Sequence, residues 1–197
     1  MSMSLFPEGE FFMTNTSIDD CKFNHRPLAA YIDHTLLKPE AKETDIQKIC
    51  QEAQIFGFYS VCVHSFWVPA CKLWLSTQQN FNTKVITVVG FPLGANATRI
   101  KAQEAEWSVH QGAQEIDMVL NIGALKSRKD FEVLSDIKAV VSSVPHVPVK
   151  VIIETALLTE EEKFLACQLA QESGAQFIKT STGFASSGAQ LEDIKNI

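Results

Sequence analysis

The chain is short of positive charge: lysine and arginine number 17 against 23 aspartates and glutamates, for a net charge of −6. No cluster of basic residues offsets this, so a nucleic-acid partner is excluded as an expectation. No apolar run reaches the length of a membrane span, so no membrane association is expected. The first residues carry Glu8 and Glu10 and no early lysine or arginine, which does not suit a secretory signal. Cysteine is scarce and odd in number. Cys21, Cys50, Cys62, Cys71 and Cys167 form no C-x-x-C pair, as suits reduced thiols in a cytoplasmic protein. Metal-binding spacing is also missing. His34 and His64 could meet Asp33 and Cys62, but no H-x-H or H-E-x-x-H occurs, so neither a metal nor another cofactor is expected.

What is present is an ordinary globular composition. Of the 197 residues 46% are hydrophobic and 20% charged, enough for one domain with a real core. Residues 1–27 have weak periodicity and read as an N-terminal arm or a short leading helix, with Met3 or Met13 as alternative starts. Residues 28–197 read as the folded domain. From Tyr31 onward, short Val- and Ile-rich runs alternate with helical patterns. The runs are YIDHTLL, SVCVHS, KVITVVGFP, EIDMVLN, VKVIIET and FIKTSTG. They mostly lack polar alternation, as strands covered on both faces do. Between them, Ile46, Ile49, Cys50 and Ala53 share one helix face behind a capping box at Thr44 and Gln47, and Thr159 with Glu162 forms a second box. Residues 67–78, 98–111 and 129–143 supply further helices, and Gly57, Gly112 and Gly174 stand where helices stop. The result is an α/β repeat about six units deep, fitting a doubly wound sheet or a (β/α)8 TIM-type barrel.

The repeat itself places the unusual residues. GFYSVC, GAQEID and GAQFIK align on their glycines, and the fifth residue after each glycine is Cys62, Asp117 and Lys179. In a barrel, alternate strands share an interior layer and the C-terminal strand ends carry the active site. The alignment therefore expects these three side chains in one layer, near Asp33 and Lys150, which also interrupt strands. A desolvated lysine has a depressed pKa, and its neutral amine can form a Schiff base while a carboxylate moves protons. Lys179 and Asp117 fit that chemistry, with Lys150 as a second positive charge. They fit a structural ion pair inside a barrel equally well. In TSTG, the hydroxyls and amides from Thr180 to Gly183 suit a phosphate or a plain turn with a helix cap. Cys62 reads as a small core residue rather than a reactive thiol. Trp67 and Trp74, on one helix face, read as packing, and GFPLGAN (90–96) as a loop that shapes a pocket or turns the chain.

Taken together, YIDHTLLKPEA, VVGFPLGAN, EIDMVLNIGAL, VKVIIET and FIKTSTGF closely resemble the deoxyribose-phosphate aldolase family, from about Tyr31 to the last residue. The resemblance implies a (β/α)8 barrel and a metal-free class I aldolase of deoxyribonucleotide catabolism. Such an enzyme reversibly cleaves 2-deoxyribose 5-phosphate, a small phosphosugar, to glyceraldehyde 3-phosphate and acetaldehyde. It implies that Lys179 forms the Schiff base and that Asp117 relays protons. It also implies that Asp33, Cys62 and Lys150 lie near the substrate and that Gly183 lies beside the phosphate, with Thr180 in the same turn. The K-P-A-G-G motif of the family's seventh strand and the G-x-S-type turn after its eighth do not occur here. The expectation is thus a C-terminally truncated barrel lacking its last two strands, with activity far below that of a complete relative. Its open edge strands would offer a route to homo-oligomers. Two other readings stay open: a non-catalytic or partner-completed barrel fragment, and a phosphosugar-binding barrel without chemistry.

Overall fold

The computed structural model describes residues 22–23, 26–76 and 83–196. Most of the expected N-terminal arm lies outside these. Within it, Lys22–Phe23 pairs antiparallel with Arg26–Pro27, and the 3-10 turn Leu28–Tyr31 leads into the domain.

Six strands follow: β1 (Asp33–Thr35), β2 (Ser60–Val63), β3 (Lys84–Val89), β4 (Glu115–Val119), β5 (Val149–Ile152) and β6 (Phe177–Lys179). All are parallel and pair in strict sequence order, β1 to β6. The crossovers carry α1 (Glu43–Phe56), α2 (Val68–Ser76), α3 (Thr98–His110), α4 (Ile122–Lys126), α5 (Asp130–Ser143) and α6 (Glu160–Glu172), with α7 (Leu191–Asn196) after β6. The sheet is strongly curved. Asp33 on β1 and Lys150 on β5 approach to 3.7 Å, although four steps of about 4.8 Å would hold them near 19 Å apart in a flat sheet. This is the arc of a barrel, with the helices outside, and it selects the barrel over the doubly wound sheet.

Strand parity divides the core. Val61, Val63, Val85, Val89, Ile116, Met118, Val149, Val151 and Ile153 face outward and pack under helix residues such as Ile46, Ile49, Ala53, Ala105, Ile137 and Ala166. Trp67 and Trp74 pack against this layer, as expected of them. A smaller cluster of Leu37, Cys62, Ile86 and Val88 lies on the inner face. Helix signals are only partly as anticipated. Ile46, Ile49, Cys50 and Ala53 are buried together, and α1 ends at Gly57 with φ 68°. Its start is not the Thr44–Gln47 box. The helix is capped two residues earlier, at Lys42, because the Lys42 N–H donates to Asp45 Oδ2 at 2.9 Å, where acidic side chains also complement the helix dipole. The Thr159–Glu162 box forms as expected. Strand 1 is shorter than YIDHTLL because Leu28–Tyr31 winds into the 3-10 turn. The α2 pattern extends past Ser76 into residues outside the described ones. Helix α4 follows from Asn121, whose Oδ1 accepts the Ala124 N–H at 3.1 Å.

One buried ion pair ties the outer layer to the sheet. Lys101 of α3 is 0% exposed. Its Nζ donates to Asp136 Oδ2 of α5 at 2.6 Å and to the carbonyl of Val119, the last residue of β4, at 2.9 Å. Burial holds the Lys101 ammonium below the usual lysine range, against the pull of Asp136. Its stem runs close under Gly90, whose φ of 64° starts the GFPLG loop. At Gly94 (φ 68°) a Cβ would lie 1.9 Å from the Leu120 carbonyl oxygen, so the loop crosses the end of β4 where only glycine fits. No described helix is long and apolar enough to cross a membrane.

Candidate active site

The inner face of the sheet is where the polar residues gather, and the ladder register explains why. Cys62 pairs across to Ile86 and on to Glu115, while Val88 pairs to Asp117 and on to Lys150. Asp33, Ser60, Cys62, Glu115, Asp117, Lys150 and Lys179 alternate with the outward apolar residues and so point inward together. The glycine alignment of the sequence is reproduced: Cys62, Asp117 and Lys179 meet. The thiol of Cys62 is fully buried and pushed up to about 12, by burial first and by the Asp117 carboxylate second. It is a core thiol, as expected from its residue type.

Asp117 is the hub. Its Oδ2 accepts Lys179 Nζ at 2.7 Å and its Oδ1 accepts Lys150 Nζ at 3.2 Å. Lys150 also pairs with Glu115 and lies 3.7 Å from Asp33. Asp33 in turn accepts the Ser60 hydroxyl at 2.6 Å. Below, Glu115 Oε2 accepts the Tyr59 hydroxyl at 3.1 Å, and that oxygen accepts Lys84 Nζ at 2.6 Å. A continuous polar chain therefore runs from Lys179 down the inner face to Lys84. The charges do not sit as the sequence suggests. Burial pulls the Lys179 ammonium down, but the Asp117 carboxylate outweighs it and the net direction is up. The depressed lysine is Lys150, lowered to about 8 by burial, with the Lys179 charge adding to the effect and Asp33 opposing it. Burial raises Asp117 above the usual carboxylate range, against the pull of Lys179. Asp117 therefore holds Lys179 as the ammonium, while its own burial makes it a stronger proton acceptor than an ordinary carboxylate.

The two lysines differ in access. The Lys179 side chain is 30% exposed, that of Lys150 only 14%, with three carboxylates around it and the Phe177 ring 5.5 Å from its Nζ. Phe177 is half-exposed rather than buried, because β6 pairs on one side only among the described strands. The mouth above Lys179 is framed by two loops. Phe91 of GFPLG meets Phe184 edge-to-face at 5.1 Å and the His64 ring at 5.7 Å. Thr180 accepts the Thr155 N–H through its carbonyl at 2.8 Å and the Ser181 hydroxyl through Oγ1 at 3.2 Å. Gly183, φ 83°, has open space where a Cβ would stand.

The histidines are occupied elsewhere. His34 points outward to Glu52 at 2.7 Å, and His64 Nε2 lies 3.0 Å from the Leu37 carbonyl. Among the described residues no three His, Cys, Asp or Glu side chains are grouped to hold a metal ion. Sequence reasoning missed Tyr59, Ser60, Lys84 and Glu115. Ser60 and Glu115 had a signal: each stands two residues before a recognised inward residue, Cys62 or Asp117, and so shares its face.

Comparison with known proteins bears directly on this constellation. Residues 28–196 match the model of the family described as DeoC/LacD family aldolase. The deoxyribose-phosphate aldolase of Carboxydothermus hydrogenoformans is 55% identical over 172 residues, covering 85% of this chain and 74% of that protein. Among solved structures, the one described as QR15, an aldolase, superimposes with a TM-score of 0.80 at 40% identity, over 85% of this chain and 74% of that one. A tetrameric deoxyribose phosphate aldolase from Aeropyrum pernix gives 0.78 at 28% identity, over 86% and 70%. With a parallel βα arc, a lysine–aspartate–lysine cluster at its inner face and a family match spanning nearly the whole described domain, the chain belongs to the DeoC/LacD family of aldolases, enzymes that act on carbon–carbon bonds.

Proposed function

We propose that the chain is a Schiff-base aldolase that reversibly cleaves 2-deoxyribose 5-phosphate into glyceraldehyde 3-phosphate and acetaldehyde. The observation that carries this reading is Asp117 held between two lysines, 2.7 Å from Lys179 and 3.2 Å from Lys150, with Lys179 the accessible one. Lys179 passes a proton to Asp117, and its free amine adds to the C1 aldehyde. Loss of water gives the iminium. A carboxylate then takes the proton of the C3 hydroxyl and the C2–C3 bond breaks. Its electrons move onto the iminium to give an enamine, and the C3 fragment leaves as the aldehyde. Protonation of the enamine at C2 and hydrolysis release acetaldehyde and regenerate the amine. Lys150 keeps positive charge beside the iminium nitrogen, and Asp33 with Ser60 fixes Lys150 from below. Thr180 and Gly183 supply polar groups for the phosphate, and Cys62 gives the floor its shape.

The depressed lysine favours one rival assignment, Lys150 as the nucleophile. Its cage of Asp33, Glu115 and Asp117 weighs against that, since a carbonyl carbon has no open approach to its nitrogen. Borohydride trapping separates the two. The chain is incubated with acetaldehyde, reduced, digested and mapped by mass spectrometry. The expected adduct, a gain of one ethyl group, is on Lys179 and is lost in Lys179→Ala. An adduct on Lys150 would reassign the nucleophile. Binding of the phosphosugar with no adduct anywhere would favour a binding barrel without chemistry.

A further inference from the structure

Glu154 carries two costly features at once. It is a non-glycine residue in the left-handed region, φ 55° and ψ 67°, two residues past the end of β5. Its side chain is buried, yet Oε1 has no hydrogen-bond partner. Strain and an unsatisfied buried oxygen persist where the surroundings over-determine them, and such places cluster at functional sites. The other oxygen shows what the conformation achieves. Oε2 accepts both the Thr182 N–H, at 3.1 Å, and the Thr182 hydroxyl. Having donated its proton, Thr182 Oγ1 accepts the Phe184 N–H at 3.0 Å. One carboxyl group therefore closes the turn on both sides of Gly183, which stands at the tip, exposed, with φ 83°. Glu154 caps a 3-10 turn (Thr155–Leu157), whose first residue, Thr155, donates its N–H to the Thr180 carbonyl at 2.8 Å.

We propose that Glu154 is a positioning residue that fixes the Thr180–Phe184 turn, by occupying the Thr182 amide and hydroxyl, so that the Gly183 amide at its tip faces the substrate's phosphate, and that it thereby sets the preference for phosphorylated over unphosphorylated sugar. The inference rests on the function proposed above. Glu154 does not touch Lys179 or Asp117, so the imine chemistry is not its task. An anion is held well only by donors that are already aimed, since ordering them on binding costs affinity.

The test compares Glu154→Ala, Glu154→Gln and Thr182→Val with wild type in three measurements. The first is amide hydrogen exchange across 180–184, which needs no activity. Protection of the Thr182 and Phe184 amides is expected to fall in Glu154→Ala and to persist in Glu154→Gln, whose carbonyl still accepts. The second is steady-state cleavage. KM for 2-deoxyribose 5-phosphate should rise about tenfold or more in Glu154→Ala. The kcat/KM for unphosphorylated 2-deoxyribose should stay close to wild type, with partial effects in Thr182→Val. The third is the acetaldehyde adduct on Lys179, which should form as in wild type. Equal losses on both sugars, or unchanged exchange at Thr182, would overturn the proposal. If wild type forms no adduct, the Schiff-base reading fails on its own, and the exchange experiment still decides whether Glu154 holds the turn.

Discussion

Removing Lys101 should cost more stability than removing any exposed charge. Its ammonium has no exposure to solvent, and it satisfies two acceptors, Asp136 Oδ2 at 2.6 Å and the Val119 carbonyl at 2.9 Å. Asp136 Oδ1 already lacks a partner. Lys101→Met would leave a buried carboxylate with nothing to neutralise it, which costs about 3–5 kcal/mol. For a domain of this size each kcal/mol moves Tm by about 2–4 °C, so the expected fall is about 6–20 °C. In urea, with a slope of about 2 kcal/mol per molar, the midpoint should drop by about 2 M. Lys101→Met combined with Asp136→Leu removes both charges and should recover most of the loss. It leaves the Val119 carbonyl short of a donor at a cost of about 1–3 kcal/mol. Asp136→Leu alone has a signature in pH. Burial already lowers the Lys101 pKa and Asp136 opposes that effect, so without Asp136 the pKa falls further below its unfolded value. The unfolded chain then binds more protons, and the variant gains stability as pH rises toward the ordinary lysine range. Circular dichroism during urea titration reads all three variants. A Lys101→Met loss below about 1 kcal/mol, or a double variant no better than the single, would refute this account of the pair.

Two further outcomes are specific to the inner face and its loops. Lys150 should titrate near 8 by NMR of its side-chain nitrogen. Because Asp33 supports the charged form, Asp33→Asn should move that midpoint lower, by about one pH unit, and a midpoint that rises instead would contradict the assigned cause. Gly57→Ala and Gly94→Ala share a left-handed backbone, φ 68° in each, but only Gly94 abuts backbone. The first should cost about 1–2 kcal/mol in a denaturant melt and the second clearly more, while equal losses would argue against the close approach to Leu120.

The parallel βα repeat and the grouping of Cys62, Asp117 and Lys179 were legible because parallel strands repeat one register and the helix-ending glycines mark it, whereas the repeat alone left a barrel and a doubly wound sheet open and the family resemblance pointed to the barrel. What stayed hidden depends on pairings between distant elements. Lys101 sits in the helical stretch 98–111, where nothing in the local pattern marks it as buried. Only the packing of α3 on α5 brings Asp136 to it and buries both. The charge states were misread for a related reason. A buried lysine alone is depressed, but the sequence does not say which lysine lies against one carboxylate and which sits inside a cage, and that contact decides the sign at Lys179. The capping box of α1 failed through local competition. Asp45 reaches the preceding backbone and starts the helix before Thr44 can.

The sheet's sequential order also bears on when the site comes into being. Among the described residues each strand of the sheet hydrogen-bonds only to its neighbours in chain order, so βα units can dock one at a time, at low loop-closure cost, as the chain emerges. The charge cluster obeys a different clock. Asp117 and Lys150 face each other across adjacent strands as soon as these pair, but Asp33 belongs to the first strand and Lys150 to the fifth, and their contact exists only once the arc has bent far enough to bring those strands face to face. Until Lys150 and Lys179 arrive, Asp33 and Asp117 remain wetted carboxylates on an open sheet. The chemistry is thus assembled last, as the product of curvature, on a scaffold whose individual contacts are almost all made earlier.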